Sequence, residues 1–380
     1  MRISCLQPNL ARGLNIVSRA VASRTATLPI LTHVLLATDN GRLKIAATNL
    51  ELAISCWIGA KVEDEGAITV PARTFTDLVA LLPADKLDLE LNIRTHTLRV
   101  QSGRTDANIK GMDAQEFPII PAFREDNVAA YVEPAVLRKM VSQVVFAAAT
   151  DESRPTLTGV LTKLEGDKIT MAATDGFRLS VRSDQLKEPV REPRTILIPA
   201  KALVEVGRVM GEQEEPVAIS VTPSHGQVLF HMKDVDVVAQ LIDQKFPDYE
   251  PIIPKRHDTR TIISTAEVLK ACRQASIFAR DSLDTVRILI KPGEELEPGK
   301  VTVVARADET GDNQSELEAV IVGNELEIGF NVKYLIEAFS AVDTPQAAIE
   351  TTQPRSPAVI RAVGDDHFLH LVMPMHLPKS

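Results

Sequence analysis

The sequence predicts an α+β protein made of three tandem repeats, each with two helices packed on antiparallel sheets. Two sets of matching segments and an alternating strand pattern carry this prediction. Internal repeats of about 125 residues are too long for a solenoid and long enough for a domain with its own core. We therefore divide the chain into residues 1–124, 125–254 and 255–380.

The first set of matching segments reads GRLKIAATN at 41–49, GDKITMAATD at 166–175 and, more weakly, GKVTVVARAD at 299–308. The second set, at 67–73, 195–201 and 326–333, is in each case a short strand that leads into a helix. A third match closes the first two repeats, since FPIIP at 117–121 resembles FPDYEPIIP at 246–254, and polar residues typical of a linker follow both. The spacing between matches is nearly constant, so the repeats cover the whole chain.

Residues 87–93 (LDLELNI) alternate between apolar and polar side chains, as a half-buried strand does, and residues 98–100 continue the pattern. Runs of strands at hairpin spacing lie between two helical segments in each repeat. This order favours an antiparallel α+β fold over a parallel α/β sheet.

Each repeat opens with a helix whose apolar residues recur at i, i+4, i+7 and i+11, which predicts one buried stripe. The three stripes are Leu10, Leu14, Val17 and Val21; Leu137, Val141, Val144 and Ala148; and Val268, Cys272, Ala275 and Ala279.

The other faces of these helices carry cations with almost no acid. Residues 9–21, 135–149 and 267–280 contain a single carboxylate, Glu267, although the chain has a net charge of -9. Arg12, Lys139 and Lys270 share one phase of the three helices. Ordinary solvated faces mix both signs, so these faces point to a polyanion contacted through phosphates without base reading. The alternative is that the cations only solvate helix surfaces.

The chain shows no targeting signal or membrane segment. No run approaches the roughly 18 apolar residues of a membrane span, and the first residues lack the features of a signal peptide. Three cysteines, Cys5, Cys56 and Cys272, lie far apart, which indicates buried thiols in a reducing compartment. We expect a cytoplasmic protein.

Motifs for catalysis are missing from the sequence. It contains no GxxxxGK[ST], GxGxxG or HExxH pattern, so we predict no catalytic residues, cofactor or metal. Asp175 precedes a glycine and suits a hairpin turn. The pairs Asp234 with Asp236 and Asp365 with Asp366 suit solvated positions without partners. The competing hypothesis is a hydrolase or transferase built of duplicated domains, with Asp175 or Asp248 as its catalytic acid.

Several segments resemble the bacterial sliding-clamp family, the DNA polymerase III beta subunits, over essentially the whole chain. They are TLPIL at 27–31, ATDGFRL at 173–179, FPDY at 246–249, GFNV at 329–332 and VMPMHL at 372–377. The resemblance implies three clamp domains per chain and a head-to-tail homodimer, a six-domain ring around duplex DNA. Such a protein confers processivity on the replicative polymerase and catalyses nothing. The implied partners are double-stranded DNA without sequence preference, a clamp loader, polymerase subunits and other proteins with a clamp-binding motif, and no membrane. A clamp fold that has lost the ring and serves as a peptide-binding scaffold is a further alternative.

The resemblance also implies the functional residues. Those for DNA contact are Arg24, Arg73, Lys201 and Arg154. Those for a partner-peptide pocket are Leu157, Thr174, Gly176, Phe177, Arg178, Leu179, Pro247, Ile252, Val372, Met373, Pro374, Met375 and Leu377. His376 and Pro251 stand where the family often has basic residues. For the dimer interface, Phe278 lies off the apolar stripe of its helix, so we expect Ile277 and Phe278 to pack on Ile109 of the other subunit.

Overall fold

The computed structural model describes residues 1–23, 28–224, 226–294, 297–307, 309 and 311–377, and of Asp281 only the backbone. The described residues form two compact units. One contains residues 1–137, 186–192 and 201–243, and the other contains residues 138–185, 193–200 and 244–380. The second repeat therefore contributes strands to both units.

Six α-helices occur in the described residues, two per repeat as predicted. They are α1 (Gln7–Val17), α2 (Ala72–Leu81), α3 (Pro134–Val144), α4 (Ala200–Val209), α5 (Thr265–Phe278) and α6 (Val332–Ala341). A 3-10 turn follows the first helix of each repeat, at Ser18–Ala20, Val145–Ala147 and Arg280–Ser282. The tighter turn ends each helix early, so the last residue of each predicted stripe lies just beyond its helix.

Within the described part of the chain, twenty-four strands form two antiparallel sheets of twelve. The strands of the first half are β1 (Arg2–Leu6), β2 (His33–Asp39), β3 (Arg42–Thr48), β4 (Leu52–Asp64), β5 (Ala67–Pro71), β6 (Lys86–Asn92), β7 (Thr97–Ser102), β8 (Thr105–Lys110), β9 (Val128–Val132), β10 (Gly159–Glu165), β11 (Lys168–Thr174) and β12 (Arg178–Gln185). Those of the second half are β13 (Arg194–Pro199), β14 (Val217–Val221), β15 (Gln227–His231), β16 (Val235–Gln240), β17 (Thr259–Ser264), β18 (Thr285–Lys291), β19 (Gly299–Ala307), β20 (Gly311–Val322), β21 (Leu326–Asn331), β22 (Gln346–Thr351), β23 (Ala358–Ala362) and β24 (Asp365–Val372).

Each sheet joins two repeats through one strand pair. In the first unit, β4 of the first repeat pairs with β16 of the second, and the sheet runs β8-β7-β6-β1-β4-β16-β15-β14-β9, with β3, β2 and β5 continuing from β4. In the second unit, β12 of the second repeat pairs with β24 of the third, and the order is β13-β10-β11-β12-β24-β23-β22-β17-β20-β19-β18-β21. The predicted strand-to-helix segments are β5 into α2, β13 into α4 and β21 into α6.

The helical stripes pack into the cores as predicted, with one exception. Leu10, Leu14 and Val17 of α1 are fully buried, whereas Val21 is only half-buried after the helix has ended. The three cysteines are free and buried. Burial raises the pKa of Cys5 and Cys272 to about 12 and that of Cys56 to about 11.

No α-helix in the described part of the chain is both long and apolar enough to cross a lipid bilayer.

Candidate functional site

The loop between β11 and β12 forms the centre of the predicted peptide pocket. The Thr174 hydroxyl donates to the Arg178 carbonyl oxygen (2.5 Å) and accepts from the Gly176 amide (3.1 Å). Asp175 Oδ1 accepts from the amides of Phe177 (2.8 Å) and Arg178 (3.1 Å). Gly176 has φ +95°, a conformation that favours glycine. Asp175 is thus a turn residue, as its sequence context indicates, and both its oxygens are engaged.

Arg178 is buried and holds this loop against two other elements. Its Nε donates to Asp175 Oδ2 (3.0 Å), Nη2 donates to the Phe146 carbonyl oxygen (2.7 Å), and Nη1 donates to Glu337 of α6. The guanidinium also lies 4.4 Å from the ring centre of Tyr334 and 5.5 Å from that of Phe146. Arg178 therefore positions the loop, and its contacts with Phe146 and Glu337 could not be predicted from the sequence because these residues lie far away along the chain.

Three residues of the predicted pocket present large apolar side chains to solvent: Phe177 (58% exposed), Ile252 (48%) and Met373 (40%). The Met373 amide donates to the Phe177 carbonyl oxygen (2.9 Å), which brings the C-terminal segment beside the loop. Thr174, Arg178, Leu179 and Val372 are buried, whereas Gly176 and Pro247 are exposed.

The C-terminal segment is fixed to strand β21. The Met375 amide donates to the Gly329 carbonyl oxygen (2.8 Å). A Cβ on Gly329 would lie 2.7 Å from Leu377 Cδ2 and 3.0 Å from the Met375 carbonyl oxygen, so only glycine leaves room for the segment. Pro374, Met375 and Leu377 are half-buried as a result.

Arg154 and Leu157 border the same loop. The Leu157 amide donates to the Arg154 carbonyl oxygen (3.0 Å), and the Leu157 carbonyl accepts from the Ala149 amide (2.8 Å). Arg154 Nη1 lies 3.5 Å from the place where a Cβ on Gly176 would stand. Arg154, which is predicted to contact DNA, thus lies next to the predicted peptide pocket.

The other predicted DNA contacts lie near helix starts. Arg73 in the first turn of α2 is exposed and lies 3.7 Å from the exposed carboxylate of Asp77, a weak pair in water. Lys201 in the first turn of α4 is exposed. Arg24 lies outside the described residues.

The acid-poor helices are less uniformly cationic than the sequence suggests. Arg12 and Lys270 are exposed, but Lys139 lies 2.8 Å from Asp343 and 2.9 Å from Asp365. Arg19 pairs with Glu205 at 3.3 Å. The sequence of α3 alone does not show this pairing, because Asp343 and Asp365 approach Lys139 from distant parts of the chain.

Both pairs of acids that were expected to be solvated contain a partnered residue. Asp365 also accepts from Arg182 Nη1 (3.2 Å), and Asp236 Oδ1 lies 2.6 Å from His231 Nδ1. Burial alone would raise the pKa of Asp365, but hydrogen bonds from Lys139, the His367 amide and Arg182 lower it to about 2.

The predicted interface residues differ in their surroundings. Ile277 is 58% exposed at the end of α5, and Ile109 is buried in β8 opposite Leu98. Phe278 is half-buried and packs against the core of its own repeat. The expectation that its own domain does not account for Phe278 is therefore wrong, because the flank of the stripe also reaches the core.

No cluster of histidine, cysteine, aspartate and glutamate that could hold a metal ion occurs among the described residues.

Models of the DNA polymerase III beta subunit match the chain in three consecutive stretches. The N-terminal domain matches residues 1–121, the central domain 131–248 and the C-terminal domain 250–376.

Similar proteins and structures cover the chain almost completely. The beta sliding clamp of Synechococcus elongatus is 32% identical over 381 residues, 99% of this chain and 100% of that protein. That of Bacillus subtilis is 30% identical over 388 residues, 99% of each. The crystal structure of the Bacillus subtilis DNA polymerase sliding clamp matches with a TM-score of 0.93 at 29% identity, covering 100% of both chains. The DNA polymerase III beta subunit of Thermotoga maritima matches with 0.88 at 27% identity, covering 99% of this chain and 100% of that one.

Proposed function

Since this chain belongs to the DNA polymerase III beta subunit family and is a sliding clamp of DNA replication, we propose that two copies close head to tail around duplex DNA. The three clamp domains correspond to residues 1–124, 125–254 and 255–380. The observation that carries the proposal is the repeated joint, in which the last strand of one repeat pairs with the hairpin of the repeat before it.

The same joint can form between two copies. Strand β8, the last of the first repeat, ends its sheet and pairs with β7 on one edge. In the third repeat, β20 corresponds to β4 and β12, and it pairs with β17 only through residues 319–322. The start of β20 can therefore accept β8 of a second copy, and the same contact repeated once closes a dimer if the rotation closes. Ile277, Phe278 and Ile109 are the apolar residues proposed to pack at this contact.

The clamp acts through enclosure and holds its partners through peptides. Arg24, Arg73, Lys201 and Arg154 contact phosphates, so binding carries no sequence preference. Phe177, Ile252 and Met373 supply the exposed apolar surface of the partner-peptide pocket, which takes short disordered segments of the polymerase, the clamp loader and other proteins. The protein is not an enzyme, needs no cofactor and works on DNA in the cytoplasm.

The decisive experiment loads the protein onto nicked circular DNA with a clamp loader and ATP. We expect it to stay on the circle and to leave when the DNA is linearised, because enclosure alone holds it. Loss at equal rates from circles and linear DNA would contradict the ring. Dimers of the Ile277→Asp/Phe278→Asp variant that persist at nanomolar concentration would contradict the interface.

Two variants separate the DNA surface from the peptide pocket. Arg24→Ala/Arg73→Ala/Lys201→Ala should lower the salt slope of DNA association by about one unit for each phosphate that is no longer neutralised, without a change of sequence preference. Removal of residues 373–380 should abolish peptide binding in calorimetry and leave DNA retention intact. An unchanged slope or an unchanged peptide affinity would contradict the respective assignment.

A further inference from the structure

We propose that the first unit carries a second peptide-binding site, built around Leu28, Leu50 and Ile119, for an extended segment of a partner protein with apolar anchors flanked by basic residues. The proposal takes the pocket of the second unit as its reference, so it rests on the proposed function. It assigns a separate site at the joint of the first and second repeats.

The loop between β3 and β4 repeats the hydrogen bonds of the loop between β11 and β12. The Thr48 hydroxyl donates to the Leu52 carbonyl oxygen (3.1 Å) and accepts from the Leu50 amide (3.0 Å). Asn49 Oδ1 accepts from the amides of Glu51 (3.0 Å) and Leu52 (2.8 Å). Thr174 and Asp175 make the same four bonds, so Leu50 corresponds to Gly176 and Glu51 to Phe177.

The segments beside this loop repeat as well. The Gln240 amide donates to the Glu51 carbonyl oxygen (2.9 Å), as the Met373 amide does to Phe177. The Leu31 carbonyl accepts from the Ala22 amide (3.0 Å), and the Leu31 amide donates to Leu28 (3.1 Å), as Leu157 does with Ala149 and Arg154. The backbone that frames the pocket of the second unit is thus present in the first.

This frame displays apolar side chains. Leu28 is 49% exposed, Leu50 is 50% exposed and Ile119 is 97% exposed. Ile119 belongs to the FPIIP segment and corresponds to Ile252 of the predicted pocket. Its neighbour Ile120 packs both on the cluster of Ile30 and Leu31 and on that of Ala53 and Val238, which fixes the segment beside the joint.

Leu50 has a backbone conformation that leucine rarely adopts. Its φ is +77°, where the second repeat has glycine at φ +95°. A left-handed residue with a side chain costs about 1–2 kcal/mol, and such strain occurs preferentially at functional sites. A strained and half-exposed leucine indicates that its side chain serves contact with another molecule.

The charges on the loop between β3 and β4 and on the segments beside it indicate which kind of peptide can bind. Residues 28–32, 48–52, 113–121 and 240–243 contain no lysine or arginine. They contain four exposed acids, Glu51, Asp113, Glu116 and Asp243. A basic flank on the bound segment complements this charge.

The test uses a synthetic peptide with two leucines separated by one serine and flanked by lysines, carrying a fluorophore and a photo-crosslinker. The matched control peptide has serine in place of both leucines. Binding to the full chain is measured by fluorescence polarisation at about physiological salt, where long-range attraction to the acidic protein is screened. We expect crosslinks at residues 28–31, 48–52 and 117–121 from the leucine peptide only.

Two variants of the full chain sharpen the test. Leu50→Gly introduces the residue found in the second repeat and relieves the strain. It should weaken binding of the leucine peptide about tenfold, or about 1.4 kcal/mol. Glu51→Lys should lower the affinity of the leucine peptide further. It should lower the affinity of the control peptide only through the changed charge. Phe177→Ala is the matched control in the other pocket and should leave this peptide unaffected.

The proposal is overturned if Leu50→Gly leaves the affinity unchanged, if both peptides bind equally, or if crosslinks fall on residues 372–377. The last result would leave the partner-peptide pocket standing and remove only the second site. Failure of the partner-peptide pocket itself would appear separately, as an unchanged peptide affinity of the variant without residues 373–380.

Discussion

The joint in the first unit pairs residues 52–56 of β4 with 235–239 of β16, and the joint in the second unit pairs 178–182 of β12 with 368–372 of β24. The backbone pairing is the same, but the side chains differ. Leu52, Ile54, Cys56 and Val237 of the first joint correspond to Arg178, Ser180, Arg182 and His370 of the second. On this face of the sheet, the same backbone is therefore stabilised by apolar packing in the first joint and by buried polar and charged groups in the second, although Asp236 is buried on the other face of the first joint.

The polar joint depends on partners from several elements. Arg182 donates to Gln143 Oε1 (2.6 Å), Asp184 Oδ2 (2.6 Å) and Asp365 Oδ2 (3.2 Å). The Ser180 hydroxyl donates its hydrogen to the Gln143 carbonyl oxygen (2.9 Å). It therefore accepts a hydrogen bond from His370 Nδ1, which lies 2.8 Å away. His370 Nε2 has no hydrogen-bond partner in the described residues. The other polar atoms of this joint are satisfied only while their partners stay in place.

The largest expected difference comes from Arg182→Ala compared with Cys56→Ala at the corresponding position. Loss of Arg182 leaves Asp184 and Gln143 Oε1 without their buried partner and leaves Asp365 with Lys139 as its cationic partner, and it should cost about 3 kcal/mol. Cys56→Ala removes one small apolar group and should cost about 1 kcal/mol. Hydrogen exchange in dilute urea, followed by mass spectrometry of peptides from β12 and β24 and from β4 and β16, measures both. Equal losses would refute the contrast between the joints.

Acid should weaken the polar joint first. Burial, and secondly the charge of Arg178, lower the pKa of His370 to about 3, below the value of about 6.5 in an unfolded chain. The unfolded chain therefore takes up a proton below about pH 6.5 that the folded chain refuses. Stability from this residue is complete above that pH and should fall by about 2 kcal/mol between pH 6.5 and 5.

The control for acid sensitivity is His370→Asn, which keeps a donor for Ser180 and removes the titration. The difference in stability between pH 6.5 and 5 should shrink in this variant, as measured by hydrogen exchange of β12 and β24. An identical acid response in both proteins would assign the sensitivity to another group.

The smallest effect is expected when the residues at the tips of the two loops are exchanged. Gly176→Leu places a side chain at φ +95° and should cost about 1–2 kcal/mol. Leu50→Gly removes strain but adds freedom to the unfolded chain, and these effects oppose each other to within about 1 kcal/mol. The denaturant midpoints of the two variants measure these changes in stability. A destabilising effect of Leu50→Gly would show that Leu50 packs within its own loop.

Much of the fold follows from the sequence because its signals are local. The turn at Asp175 and the strands that run into Ala72, Ala200 and Val332 are each indicated by residues a few positions away in the chain. The matched segments then place these elements in three repeats.

The chemistry of the joints does not follow from the sequence. Asp365 suits a solvated position by its sequence context, but its partner Lys139 lies 226 positions away, and nothing near Arg178 in the chain indicates that Glu337 and Tyr334 enclose it. The expectation that Phe278 lacks packing in its own domain is wrong, because side chains beside a helical stripe can also reach the core. Sequence periodicity identifies which face is buried, but it does not identify which distant residue meets that face.

The strand pair β4–β16 should also hold the protein together after proteolytic cleavage. The segment between the first two repeats contains the exposed Arg124, where trypsin can cut. A cut there severs the covalent link but leaves five residue pairs between β4 and β16, together with the stacked rings of Phe123 and His231 on the N-terminal side of the cut. The two fragments should therefore co-migrate in gel filtration and separate only in denaturant, so that an intact native mass is no proof of an intact chain.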